Sequence, residues 1–172
     1  MHLYIIRHGE SFINLPDWVN DGNHDTALTP RGHQQAEAAA AWIRDYLLPI
    51  DYIYSSTMRR ARETADYVAR ALEKPVRFDD RIREIGNNYM DHRPVEPGES
   101  TSYADFWASQ RPFANITPGT EGGETMMHFR TRVGLFLADM VERHVDEVLI
   151  IVCHGFVVDM FLDLVYNVGA YR

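Results

Sequence analysis

A single cysteine among 172 residues rules out an internal disulfide, and with it any CxxC metal or redox motif, because Cys153 has no partner in the chain. Lysine is as scarce: Lys74 stands alone beside sixteen arginines. Any anion site must therefore be built from guanidinium forks or imidazoles. No apolar run approaches the roughly 20 residues of a membrane span. Arg7 interrupts the apolar stretch at the N-terminus, so the long core of a signal peptide is missing as well. A formal charge of -8 leaves no basic face for nucleic acid or an anionic membrane. These absences lead to the expectation of a soluble, cytoplasmic protein with neither nucleic-acid nor membrane partners.

What is present suits one globular domain spanning 1–172, since 45% apolar and 24% charged residues are ordinary for that class. Short apolar runs at Leu3–Ile6, Tyr52–Tyr54, Pro75–Phe78 and Val148–Val152 read as strands. Helical spacing lies between them. Ala36, Ala40, Ile43 and Leu47 share one face of a helix with Thr29 as N-cap and Pro30 in its first turn. Ala61, Ala65, Val68 and Leu72 repeat that spacing, as do Met126, Phe129, Val133, Leu137 and Met140 more loosely. Strands alternating with helices predict a three-layer α/β/α fold around a mainly parallel sheet. From about 86 to 123 the alternation stops, with only a short helix expected near Tyr103–Gln110; a stretch that long reads as a cap-like excursion over a site.

Ligands of such sheets bind beyond the carboxyl ends of the strands. Arg7, His8, Glu10 and Asn14 follow the first strand; Ser55, Arg59, Arg60 and Arg62 follow the second. Glu84 follows the third, and His154 with Gly155 the fourth. Two imidazoles, several guanidinium groups and a carboxylate at one sheet edge suit phosphoryl chemistry. Guanidinium groups match the oxygens of a phosphoryl group in transfer, and nearby arginines keep an imidazole neutral and nucleophilic. A protonated glutamic acid can supply the leaving alkoxide with its proton. Gly9 permits a close backbone approach beside the nucleophile.

These segments resemble the histidine phosphatase superfamily, also called phosphoglycerate mutase-like, from Leu3 to about Val165. "RHGES" with Asn14, "LTPRGHQQA", "SSTMRRARETA", "IREIG", "GGET" and "CHG" occur in the family's order. The resemblance implies a phosphoglycerate mutase-like fold, His8 as nucleophile and Glu84 as proton donor. It also implies Arg7, Arg60 and His154 on the phosphoryl oxygens, with Asn14 as a further donor. No cofactor and no metal are implied. Two departures stand out: Thr57 where the family often has proline, and "IGNNYMDHRP" after Glu84 in place of a glycine-aromatic-acid-glycine run.

Other candidates read more plainly. His2, His24, His33, His92, His128 and His144 are scattered without metal-ligand spacing and read as surface or core residues. Arg59 and Arg62 read as helix-surface charges, and Glu10 as a charge partner rather than the acid. Cys153 alternates with His154 along a strand and so reads as a buried small apolar residue. Phe106, Trp107 and Phe113 fit a satellite core or a substrate lining equally well.

The function expected is a metal-independent phosphomonoesterase acting through phosphohistidine on a small phosphorylated substrate. The alternatives are a cofactor-dependent phosphoglycerate mutase, using His92, Arg93 and Arg111 for extra anionic groups, a phosphohistidine-protein phosphatase, or a noncatalytic phospholigand-binding module. The last segment, "FVVDMFLDLVYNVGAYR", is apolar on nearly every face. A homodimer through this C-terminal helix, or a natural chain that continues past Arg172, is expected to cover it.

Overall fold

The structure is a computed structural model that describes residues 1–19, 24–47, 49–96, 116 and 121–166. Strand β1 (His2–Arg7) leads by way of a 3-10 turn at Phe12–Asn14 to helix α1 (Pro30–Tyr46). Strand β2 (Tyr52–Ser56), helix α2 (Arg59–Leu72), strand β3 (Val76–Asp79) and a second 3-10 turn (Asp80–Ile82) follow. Helix α3 (Met126–Arg143), strand β4 (Val148–Cys153) and helix α4 (Gly155–Tyr166) complete the described elements. The expected parallel sheet is present: the strands run in the order β1-β4-β2-β3, every neighbouring pair parallel.

Each element forms where local chemistry favours it. Thr29 caps α1 by accepting the Gly32 N–H at 3.0 Å, with Pro30 in the first turn where its missing N–H is harmless. Thr125 caps α3 in the same way through the His128 N–H. Strand β4 shows how one sequence serves two cores. Leu149, Ile151 and Cys153 pack with Phe129, Val133, Phe136 and Met140 of α3 and with Val157, Met160 and Phe161 of α4. Ile150 and Val152 face the other way, onto Ala40 and Ile43 of α1 and Ala61, Ala65 and Val68 of α2. The sheet is thus covered on both faces, and Cys153 is a core residue whose thiol pKa burial pushes up.

Two details differ from the sequence reading. Strand β2 runs through Ser56, two residues past the apolar run, because its polar tip stays hydrogen-bonded to neighbouring strands. The core face of α3 contains a fully buried arginine, Arg132, whose guanidinium lies 4.7 Å over the Phe129 ring. Helix α4, as expected, carries more apolar surface than the sheet covers: Val157, Met160 and Phe161 are buried, whereas Phe156, Leu162, Val165 and Tyr166 are exposed. Within 86–123, the anticipated helix at Tyr103–Gln110 and Phe106, Trp107, Arg111 and Phe113 lie outside the described residues. Asn88 bridges Pro94, Tyr89 bridges Gly123, and Ile116 is buried in the α3 core. No helix among the described residues is long and apolar enough to cross a membrane.

Candidate active site

Register fixes the site. Arg7 pairs with Cys153 and Ser56 with Asp79, so the carboxyl ends of the strands reach one edge and release Arg7-His8, Ser56 and His154 there. The His8 N–H still donates to the Cys153 carbonyl at 3.0 Å, extending the ladder and holding the ring at a rigid tip. Gly9 is required by contact: a Cβ there would lie 2.5 Å from the Gly32 carbonyl oxygen, so the loop after β1 presses backbone to backbone on α1. The Gly9 N–H donates to Thr64 Oγ1 at 3.1 Å, and Thr64 donates to the Arg60 carbonyl, tying the tip to α2 as well.

The hydrogen bonds assign the His8 tautomer. The Gly9 carbonyl, 2.6 Å from Nδ1, can only accept, so Nδ1 carries the hydrogen. Nε2 then presents its lone pair, to which Arg60 Nε donates at 3.0 Å. Burial first, then the Arg60 and, further down, Arg7 charges depress this pKa from 6.5 to about 3, against the opposing pull of the Gly9 carbonyl. The imidazole is therefore neutral at neutral pH. Arg60, also buried, anchors a second arm on the His24 carbonyl at 2.7 Å.

His154 lies with its ring centroid 5.1 Å from that of His8. It is fully buried, and burial with the Arg60 charge holds its pKa well below the ordinary value. Its Nε2 meets Ser56 Oγ at 2.8 Å, and its Nδ1 has no hydrogen-bond partner among the described residues. Glu84 follows the second 3-10 turn. Its Oε1 accepts the Ile85 N–H at 3.0 Å, and the Phe156 N–H at the start of α4 also reaches the carboxyl. A Cβ on Gly155 would stand 4.0 Å from both Arg7 Nε and Glu84 Oε2, so guanidinium and carboxyl flank the same turn. Burial raises the Glu84 pKa and outweighs the Arg60 and Arg132 charges that lower it.

The remaining candidates divide cleanly. Asn14 is exposed, and its Oδ1 accepts both the Ser11 N–H (3.0 Å) and the Ser11 hydroxyl (2.9 Å). Glu10 accepts the Thr29 hydroxyl at 2.7 Å and stands 3.6 Å from Arg31, so it serves the start of α1. Arg59 pairs with Glu63, and Arg62 covers the Phe78 ring, both on the helix surface. His144 is a core residue, bonded to the Tyr54 hydroxyl at 2.9 Å. Ser55 turns away, donating to the Ser56 carbonyl; Ser56 is the serine that touches a site imidazole. Sequence reasoning also missed the His24 carbonyl and Thr64. Among the described residues, no three His, Cys, Asp or Glu side chains stand close enough to share a metal ion.

The sequence profile of the histidine phosphatase superfamily (branch 1) matches residues 3–171. The probable phosphoglycerate mutase GpmB of Salmonella choleraesuis is 28% identical over 171 residues, covering 99% of this chain and 77% of that protein. The alpha-ribazole phosphatase of Shigella flexneri superposes with a TM-score of 0.75 at 26% identity, covering 99% of this chain and 82% of the other. A phosphoserine phosphatase of Entamoeba histolytica, crystallised with 3-phosphoglyceric acid, gives 0.68 at 26% identity, covering 96% and 79%.

Proposed function

The chain belongs to the histidine phosphatase superfamily, and from that premise we propose that it is a metal-independent phosphomonoesterase working through phosphohistidine at His8. One observation carries the reading: a buried neutral imidazole whose Nε2 lone pair faces a guanidinium group. In this reading Nε2 attacks phosphorus and forms the P–N bond as the P–O bond to the leaving group breaks. The Glu84 carboxyl gives its proton to the departing oxygen. Water then attacks the phosphohistidine, the Glu84 carboxylate takes the water's proton, and the P–N bond breaks to release inorganic phosphate and return the lone pair.

Arg7, Arg60 and His154 hold the phosphoryl oxygens, and Asn14 adds a donor. The Arg60 Nε–H that rests on His8 turns to a phosphoryl oxygen when substrate binds, freeing the nucleophile. Ser56 Oγ accepts the Met58 N–H at 3.2 Å, leaving its own proton for His154 Nε2. His154 Nδ1 then bears the other hydrogen and can donate to a phosphoryl oxygen.

The two described cations named for the alternative, His92 and Arg93, favour hydrolysis over phosphoglycerate isomerisation. A mutase must hold a bisphosphorylated, carboxylated intermediate. Arg93 is exposed and paired with Asp91 at 2.7 Å, and burial lowers the His92 pKa, which leaves that ring neutral. Neither fits a second phosphate site. The test uses 3-phosphoglycerate with and without 2,3-bisphosphoglycerate. Phosphate release is expected to outpace formation of 2-phosphoglycerate, without priming by the bisphosphate and without loss on adding a chelator. Isomerisation faster than phosphate release, and dependent on the bisphosphate, would establish the mutase instead.

A further inference from the structure

Arg132 is fully buried on the core face of α3, and each of its five N–H donors has an acceptor. Nε donates to Glu124 Oε2 at 2.8 Å, and one Nη2 hydrogen to Glu124 Oε1 at 2.8 Å. Nη1 donates to the carbonyls of Arg81 (2.7 Å) and Arg83 (2.8 Å), and the other Nη2 hydrogen to the carbonyl of Glu84 (3.1 Å). Glu124 is equally buried, and its Oε1 also accepts the Gly86 N–H at 2.6 Å. One ion pair thus grips the main chain on both sides of Glu84. The grip meets a turn: the Asn87 N–H closes on the Glu84 carbonyl at 3.2 Å, with Gly86 at a φ of 74°, a conformation suited to glycine.

We propose that Arg132 and Glu124 are a positioning pair that aims the Glu84 carboxyl at the leaving oxygen. The inference rests on the reading of Glu84 as proton donor. Stability alone accounts poorly for the pair, because apolar replacements of buried ion pairs are often neutral or stabilising. The carbonyls it satisfies are those of the segment carrying Glu84, and Glu84 Oε1 is bonded to the next N–H of that segment. Moving the backbone therefore moves the acid, and a misplacement of about 1 Å can cost on the order of 10²-fold in rate. Glu124 has an electrostatic part as well. Glu84 is faced by Arg7 at the end of β1, Arg60 on α2, Cys153 at the end of β4, the Phe156 N–H on α4 and Arg132 on α3. Glu124 offsets the Arg132 charge, helping the acid to stay protonated.

The test compares Arg132→Lys, Glu124→Gln and Glu84→Gln with the unaltered enzyme on glycerol 2-phosphate, a poor leaving group, and p-nitrophenyl phosphate, a good one. Arg132→Lys keeps the charge but cannot make all five bonds. Its kcat on glycerol 2-phosphate is expected to fall on the order of 10²-fold, with a much smaller fall on the nitrophenyl ester and little change in KM. Glu124→Gln should move the alkaline limb of kcat/KM on glycerol 2-phosphate to lower pH, because the Arg132 charge is then uncompensated. Equal losses on both esters in Arg132→Lys, while Glu84→Gln stays selective, would overturn the positioning role and leave the phosphatase reading intact. Should Arg132→Lys fail to fold, an unmoved alkaline limb in Glu124→Gln overturns it. Equal losses in Glu84→Gln itself would remove the acid assignment and the positioning role together.

Discussion

His8→Ala is expected to lower turnover of p-nitrophenyl phosphate by about 10⁴-fold or more, measured as initial rates on protein whose circular dichroism matches the parent. The size of the effect follows from the absence of a substitute. The other imidazole, His154, has one nitrogen committed to Ser56, and Cys153 points into the core with its thiol held protonated by burial. Without His8, catalysis is left to the arginines, which stabilise charge but form no bond to phosphorus. Retention of more than about a tenth of the activity would place the nucleophile elsewhere.

Glu84→Gln carries the second large effect, and its signature is selectivity. With an alkyl phosphate the loss should be roughly 10²–10⁴-fold, the scale of general acid catalysis. With p-nitrophenyl phosphate it should be far smaller, because that leaving group departs without a proton. The pH dependence has a definite sign. The acid acts only when protonated, and burial raises its pKa. The rate on alkyl phosphates therefore holds above the ordinary carboxylate range and falls as pH rises through the raised pKa. Glutamine cannot ionise, so the variant's residual rate should lose that alkaline limb. Equal losses on both esters, with the limb unchanged, would shift the acid role to another group, Glu10 being the first to test.

Much of this arrangement was legible in the sequence because apolar runs stop abruptly where strands end. Leu3–Ile6 followed by Arg7-His8, and Val148–Val152 followed at once by Cys153-His154, mark the sheet edge in the sequence itself. Alternation along β4 correctly set Cys153 apart from His154. Ser56 was hidden because β2 keeps its ladder two residues beyond its apolar run, which transferred the site-facing position from Ser55. The His24 carbonyl that anchors Arg60 could not be read, since a backbone oxygen carries no sequence signal. Arg132 was hidden differently: a charge in an amphipathic helix ordinarily faces water, and its partner lies eight residues earlier, just before the helix begins. A clue was present, since Arg132 sits three residues after Phe129 and beside Val133, within the apolar stripe itself.

The most direct measurement is to capture the intermediate. Enzyme mixed with a ³²P-labelled phosphomonoester and quenched in alkali during turnover should retain protein-bound label, whereas an acid quench should release it, the behaviour of a P–N bond. Proteolysis should map the label to the peptide containing His8, and His8→Ala should carry none. Label that survives acid but not alkali, or that maps to a peptide without His8, would contradict catalysis through phosphohistidine at this residue.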